Sequence, residues 1–264
     1  MDRSYWQKQT PEQPLYPDLL WSQPQQRSKA GKLLIVGGNA HGFAAAAEAY
    51  GAGMKAGGGS IRVILPSGLK KTVGHVFPEA EFAPMTSAGG LSSEALGVIT
   101  EAAGWSDCVL LAGDFGNNSE TAILLEQFIQ KYNGQLVVSG DTIDNFKSLS
   151  GILCQRPSTT LVLSFSQLQK LITAEHFTQA LVSSVDLLHM VELIHAFSLT
   201  KASLNILVEH DQTIFIAVSG QVSTTKIADK QQLNLAKPAA AASVWWMQNP
   251  AKPFEALCVS VAKN

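Results

Sequence analysis

Apolar residues along this chain fall into short, nearly unbroken runs separated by stretches with helical spacing. Lys32 to Val36 (KLLIV), Ile61 to Leu65 (IRVIL), Asp107 to Ala112 (DCVLLA), Gln135 to Ser139 (QLVVS) and Thr160 to Ser164 (TLVLS) each read as a strand buried on both faces. Between them lie helical patterns. An Ala-rich helix follows Gly42, ending in the Gly57-Gly58-Gly59 turn. A second, with Ser119 as its cap, carries Ile123, Leu124, Gln127, Phe128 and Lys131 at helical spacing and stops at Asn133-Gly134. A third runs through Ser166 to Leu171, and a fourth lines up Leu187, Leu188, Val191, Ile194 and Phe197. Ser203 to Glu209 and Thr213 to Val218 form a hairpin about His210-Asp211-Gln212, and Pro238 to Val261 is mostly helical with a break near Asn249-Pro250. Alternation of this kind predicts an α/β fold: a mostly parallel sheet covered by helices on both faces.

In such a sheet the ligand site lies at the C-terminal edges of the strands. The loops there are Gly37-Gly42, Gly113-Asn118, Gly140-Asn145 and Ser164-Gln167. Gly37, Gly38, Asn39 and His41 belong to the first. They make either a polar loop touching a ligand at a helix start or a tight turn that merely needs glycine. It is neither a G-x-G-x-x-G fingerprint nor a P-loop. Gly113, Asp114, Gly116 and Asn117 form an anion-compatible nest after a buried strand, although Asp114 opposes a phosphate there. Asp141 and Asp144 sit just after a strand, and one of them is a candidate functional carboxylate; Asp144 is equally a candidate helix N-cap. His189 and His195 lie off the apolar stripe of their helix and are expected in solvent. No histidine or cysteine spacing suggests a metal, and no nucleophile elbow is present. Trp245-Trp246 belongs to the core or to a subunit interface.

Composition narrows the classes. Hydrophobic residues make up 46% and charged residues 15%, enough for a large core. A net charge of -2 gives no reason to expect nucleic acid or an anionic membrane as partner. Three cysteines without CxxC spacing suit a reducing cytoplasm, and no secretory leader or membrane span is expected. Residues 1–30, polar but carrying Tyr5, Trp6, Tyr16 and Trp21, read either as an arm with a short helix near Pro17 to Trp21, clamped onto the domain or a neighbouring subunit, or as a partly ordered N-terminus, ahead of a domain over 31–264.

The order of these pieces resembles the ribokinase-like superfamily, and within it the ADP/ATP-dependent NAD(P)H-hydrate dehydratases. The matching pieces are Pro24, Arg27, Ser28, Lys29 and Gly31, then Gly37-Gly38-Asn39, Ala56 to Gly59, Val63 to Pro66 and Pro78-Glu79. Ala112 to Gly116 is similar to the family's Gly-Pro-Gly-Leu-Gly, and Ser139 to Ile143 to its Asp-Ala-Asp-Ala-Leu, with Asp141 the matching carboxylate. The resemblance implies a three-layer ribokinase-like sandwich, a small-molecule nucleotide (ATP or ADP with Mg²⁺), NAD(P)HX as substrate and a homo-oligomer. Two motifs depart. The family's Leu-Thr-Pro-His-x-x-Glu falls on Leu161 to Leu168, LVLSFSQL, without His or Glu. The family's Gly-Ser/Thr-Gly-Asp, whose glycines make the anion hole and whose Asp is the base, falls near Asn234 to Ala242, NLAKPAAAA, without Gly or acid. Two expectations follow: a divergent dehydratase or small-molecule kinase, or a non-catalytic member that binds a nucleotide or serves as an interaction subunit.

Overall fold

The computed structural model describes residues 3–75, 77–144, 150–227 and 234–262. In chain order the elements are β1 (Trp6–Gln9), α1 (Pro17–Trp21), β2 (Lys32–Gly37), α2 (Ala44–Lys55), β3 (Ser60–Pro66), α3 (Lys70–Val73), β4 (Ala80–Ala83), α4 (Ala95–Trp105), β5 (Cys108–Gly113) and α5 (Ser119–Lys131). They continue with β6 (Gln135–Ser139), α6 (Asp141–Asp144), α7 (Ser150–Gln155), β7 (Thr159–Ser164), α8 (Phe165–Ala174), α9 (Leu187–Thr200), β8 (Leu204–His210), β9 (Thr213–Val218), β10 (Gln221–Lys226), α10 (Ala236–Gln248) and α11 (Pro253–Ala262).

The ten strands form one sheet in the order β1-β10-β9-β8-β7-β6-β5-β2-β3-β4. Every neighbouring pair is parallel except those involving β9, which runs against both β8 and β10. The expected three-layer, mostly parallel α/β sandwich is therefore present. Strand side chains alternate between its two faces. Leu34 and Val36 of β2 join the buried residues of α4, α5, α8 and α9, whereas Leu33 and Ile35 join those of α2, α10 and α11. Trp245 and Trp246 lie in that second layer, 1% and 3% exposed.

Three details differ from the sequence-based picture. Asn118, not Ser119, caps α5: its side chain accepts the Glu120 and Thr121 N–H groups. The buried face of α5 is Thr121, Leu124, Leu125, Phe128 and Ile129, which leaves Ile123 54% exposed. And β1, β4 and β10 join the sheet although their sequences, WQKQ, AEFA and QVSTTK, carry no continuous apolar run.

The architecture fixes where a site can be. From β2 the chain passes to β3 and β4 on one side, while β5, β6, β7 and β8 extend on the other. The strand order reverses between β2 and β5, and the crevice above their C-terminal ends is the natural ligand position.

Candidate functional site

At that crevice the Gly37-Gly42 and Gly113-Asn118 loops are brought together. Gly38 N–H donates to the Gly113 carbonyl at 2.9 Å. A Cβ on Gly37 would sit 2.8 Å from that same carbonyl oxygen, so only glycine permits the approach. Asn39 fastens the loops: its Nδ2 donates to the Asp114 carbonyl at 2.7 Å, and its Oδ1 accepts the His41 N–H at 2.8 Å. His41 itself is exposed.

The two carboxylates here both serve as internal acceptors. Asp114, held at a φ of 60°, turns its Oδ2 toward the first turn of α2 and accepts the Ala45 N–H at 2.7 Å. Phe43, the cap residue of that helix, offers no side-chain acceptor, so Asp114 supplies the cap from another element. Asp141 reaches back over the nest: its carboxylate accepts the Gly116 N–H at 2.9 Å and the Phe115 N–H at 3.3 Å. The amides expected to hold a ligand's anion thus hold a side chain of the protein, with Asn117 exposed beside them. Asp144 closes α6 and accepts from Gln167 Nε2 at 2.8 Å and Lys170 Nζ at 2.7 Å. Asn145, the last residue of the expected third loop, lies outside the described residues.

Burial raises the Asp141 pKa above the ordinary carboxylate value, opposed by the Gly116 and Phe115 amides. A carboxyl with a raised folded pKa binds more protons folded than unfolded, so its contribution to stability falls as pH rises through that window. Asp141→Asn should remove this loss. In urea titrations at pH 4 and pH 7, the variant is expected to gain on the wild type between the two pH values; a parallel response would refute the burial argument.

The third place to look is the start of α10, where the expected anion hole would lie. Ala236 N–H donates to Asn234 Oδ1 at 3.0 Å, Lys237 N–H to the Asn234 carbonyl and Ala239 N–H to that of Leu235, both at 3.1 Å. Pro238 has no N–H. The first turn therefore presents no open donor, and its side chains are Ala, Lys, Pro and Ala.

Away from the crevice, sequence reasoning missed a cleft. Because β7 and β8 are parallel, the tip of the β8–β9 hairpin stands on the same sheet edge as Ser164. A cavity of about 520 Å³ opens there beside α9. The signal available was His210-Asp211-Gln212 itself, a polar tip at a strand's C-terminal end. His210 stacks on Phe165, ring centroids 4.0 Å apart, and burial lowers its pKa. Asp186 caps α9 through the His189 N–H at 2.9 Å. His195, expected in solvent, instead stacks on Tyr5 at 3.6 Å and bonds through Nδ1 to the Gly220 carbonyl.

Other chemistries find little here. Burial pushes the Cys108, Cys154 and Cys258 thiols up to about 12, which keeps them from acting as nucleophiles near neutral pH. Among the described residues no group of three or more His, Cys, Asp or Glu gathers as a metal cage, and no helix is long and apolar enough to cross a membrane.

No family model matches the chain. A ribokinase-like superfamily protein from Enterococcus faecalis superposes with a TM-score of 0.70 over 100% of this chain and 88% of its own, at 15% identity. The fold is ribokinase-like. An ADP/ATP-dependent NAD(P)H-hydrate dehydratase from Bacillus subtilis, co-crystallised with ATP/Mg²⁺, superposes on this ribokinase-like chain with a TM-score of 0.60, covering 90% of it and 79% of the enzyme at 11% identity. In sequence, a bifunctional NAD(P)H-hydrate repair enzyme of Methanocaldococcus jannaschii is 31% identical over 121 residues. That match takes in 44% of this chain and 23% of the enzyme's length. Acceptors of the chain itself already sit at each of the three places where a ligand's anion was expected. The nest amides are taken by Asp141, the α2 terminus by Asp114, and the α10 terminus by Asn234.

Proposed function

We propose that this ribokinase-like chain is a non-catalytic ligand-binding protein, one that neither transfers phosphoryl groups nor drives ATP- or ADP-dependent dehydration of NAD(P)H hydrates. The observation that carries this reading is the first turn of α10: every backbone donor there is bonded or replaced by proline, and residues 234–242 contain no acid. Phosphoryl chemistry on such a scaffold relies on fixed donors aimed at developing negative charge and on a positioned base. Loss of the base alone costs about 10²–10⁴ in rate, and loss of one donor of an anion hole about 10²–10³. The partial similarity to a hydrate-repair enzyme supports descent from that chemistry, and the hairpin cleft supports a surviving capacity to bind.

The test is direct. Purified protein incubated with NADH hydrate and Mg²⁺ plus ATP or ADP should return no NADH above the protein-free background. Turnover above background that disappears in Asp141→Ala would overturn the reading and make Asp141 a catalytic residue.

A further inference from the structure

The nest in the crevice is full, and its occupant is tethered. Gly113 at a φ of 109°, Asp114 at 60° and Gly116 at 73° bend the loop so that successive N–H groups line one concavity. The Asp141 carboxylate sits in it with one oxygen on each amide: Oδ1 accepts from Phe115 at 3.3 Å and Oδ2 from Gly116 at 2.9 Å. A Cβ on Gly113 would come within 3.2 Å of that Oδ1 and crowd the carboxylate.

Receptor and occupant belong to different parts of the fold. The loop follows β5, whereas Asp141 opens α6 after β6, 25 residues beyond Gly116. The loop also has anchors of its own. Asn39 Nδ2 donates to the Asp114 carbonyl and Ala45 N–H to the Asp114 carboxylate, both at 2.7 Å, and Gly38 N–H donates to the Gly113 carbonyl at 2.9 Å. Its shape therefore survives removal of the Asp141 side chain. Asp141 and Gly116 are half-buried and Asn117 beside them is exposed, so solvent reaches the place where the carboxylate lies.

We infer that this contact is self-blocking: Asp141 closes an oxyanion receptor that is otherwise complete, and the nest accepts one small external carboxylate when that side chain is withdrawn or removed. The inference rests on the proposed reading of a site without turnover and names how its anion position is regulated. An attached occupant faces its receptor at a high effective concentration. Free formate has to shed hydration for the same two amides, and its three non-hydrogen atoms limit it to a Kd no tighter than about 1 mM. The tethered group wins that competition in the intact protein.

The test rebuilds the contact from separate parts. Asp141→Ala keeps the Cβ and removes the carboxylate, and formate supplies the same group as a free ion. Sodium formate, titrated to about 100 mM against sodium chloride of equal ionic strength, should raise the melting temperature of Asp141→Ala saturably. The wild type should follow the chloride control. Asp141→Asn keeps a carbonyl oxygen for the nest and should be as indifferent as the wild type. The Phe115 and Gly116 amide resonances should move on formate addition in Asp141→Ala and stay in place in the wild type. A folded Asp141→Ala that responds to formate no more than to chloride would overturn the inference, as would a wild type that responds equally. If Asp141→Ala does not fold unaided, refolding in formate but not in chloride supports the inference. Failure in both, with Asp141→Asn folded, would make the side chain purely structural and overturn it. None of these outcomes alters the NADH-hydrate assay, which tests the absence of turnover separately.

Discussion

Arg156→Met is expected to cost about 3–5 kcal/mol of stability, because it takes the donor from several buried carbonyls at once, each costing about 1–3 kcal/mol when left unsatisfied. Arg156 is 8% exposed, and its guanidinium has no carboxylate partner among its hydrogen bonds. Its Nη2 donates to the Tyr132 and Gly134 carbonyls, both at 2.6 Å, and Nε donates to Tyr132 as well at 3.0 Å. Nη1 donates to the carbonyls of Pro157 at 3.0 Å and Ser158 at 3.1 Å, and to Thr159 Oγ1 at 3.0 Å. One side chain thus ties the end of α5, the turn into β6 and the start of β7. Methionine fills similar volume but strands those carbonyls, and an unsatisfied buried acceptor costs about 1–3 kcal/mol. By the usual scaling of about 2–4 °C per kcal/mol, the melting temperature should fall roughly 6–20 °C. Arg156→Lys should recover little, because an ammonium group cannot span the fork. Urea denaturation measures both; a loss below about 1 kcal/mol in Arg156→Met would mean that water satisfies the carbonyls.

Deletion of residues 1–22 is the second large effect, and it should compromise folding rather than merely alter assembly. The segment supplies strand β1 and helix α1. β1 pairs with β10 over four residues, Trp6↔Val222 to Gln9↔Thr225. Gln9 is 5% exposed; its Nε2 donates to Thr225 Oγ1 and to the Cys258 carbonyl, each at 2.8 Å, while its Oε1 accepts the Leu15 N–H at 3.2 Å. Trp6 Nε1 donates to Thr224 Oγ1 at 3.0 Å. Leu15, Tyr16, Leu19 and Leu20 pack on the core beneath α10 and α11. Full burial of one large apolar side chain is worth about 1.5–3 kcal/mol, so four partly buried ones plus the polar ladder amount to something on the order of 5 kcal/mol. That is comparable with the whole stability of a domain, about 5–15 kcal/mol. The truncated protein should be recovered mainly as aggregate, or melt far below the intact chain. A soluble truncation with an unchanged urea midpoint would show the segment to be dispensable.

The same segment explains what was legible in the sequence. Strands β2, β5, β6 and β7 announce themselves because a parallel strand covered on both faces must be apolar at nearly every position. The hairpin of β8 and β9 is legible too, with Asp211 and Gln212 at the two positive-φ positions of its turn. β1 and β10 are hidden because most of their buried side chains are polar and are satisfied across the pair or by α11: Gln9 with Thr225, Trp6 with Thr224, Ser223 with the Cys258 thiol of α11. No local pattern marks a glutamine whose Nε2 donates to partners more than 200 residues away. The site divides in the same way. The position of the loops at the sheet's C-terminal edge follows from parallel topology alone. What occupies them does not, since Asp114 caps a helix 69 residues upstream and Asp141 reaches 26 residues back to Phe115.

The pairing of β1 with β10 also sets a timetable. Gln9 and Thr225 are 216 residues apart, and at synthesis rates of about 5–20 residues per second that interval lasts roughly 10–40 s. Throughout it β1 has no place in a sheet, and the growing sheet has no finished margin on that side. The nascent chain therefore leaves the ribosome carrying two unmet edges at once, and chaperones have that interval in which to shield them.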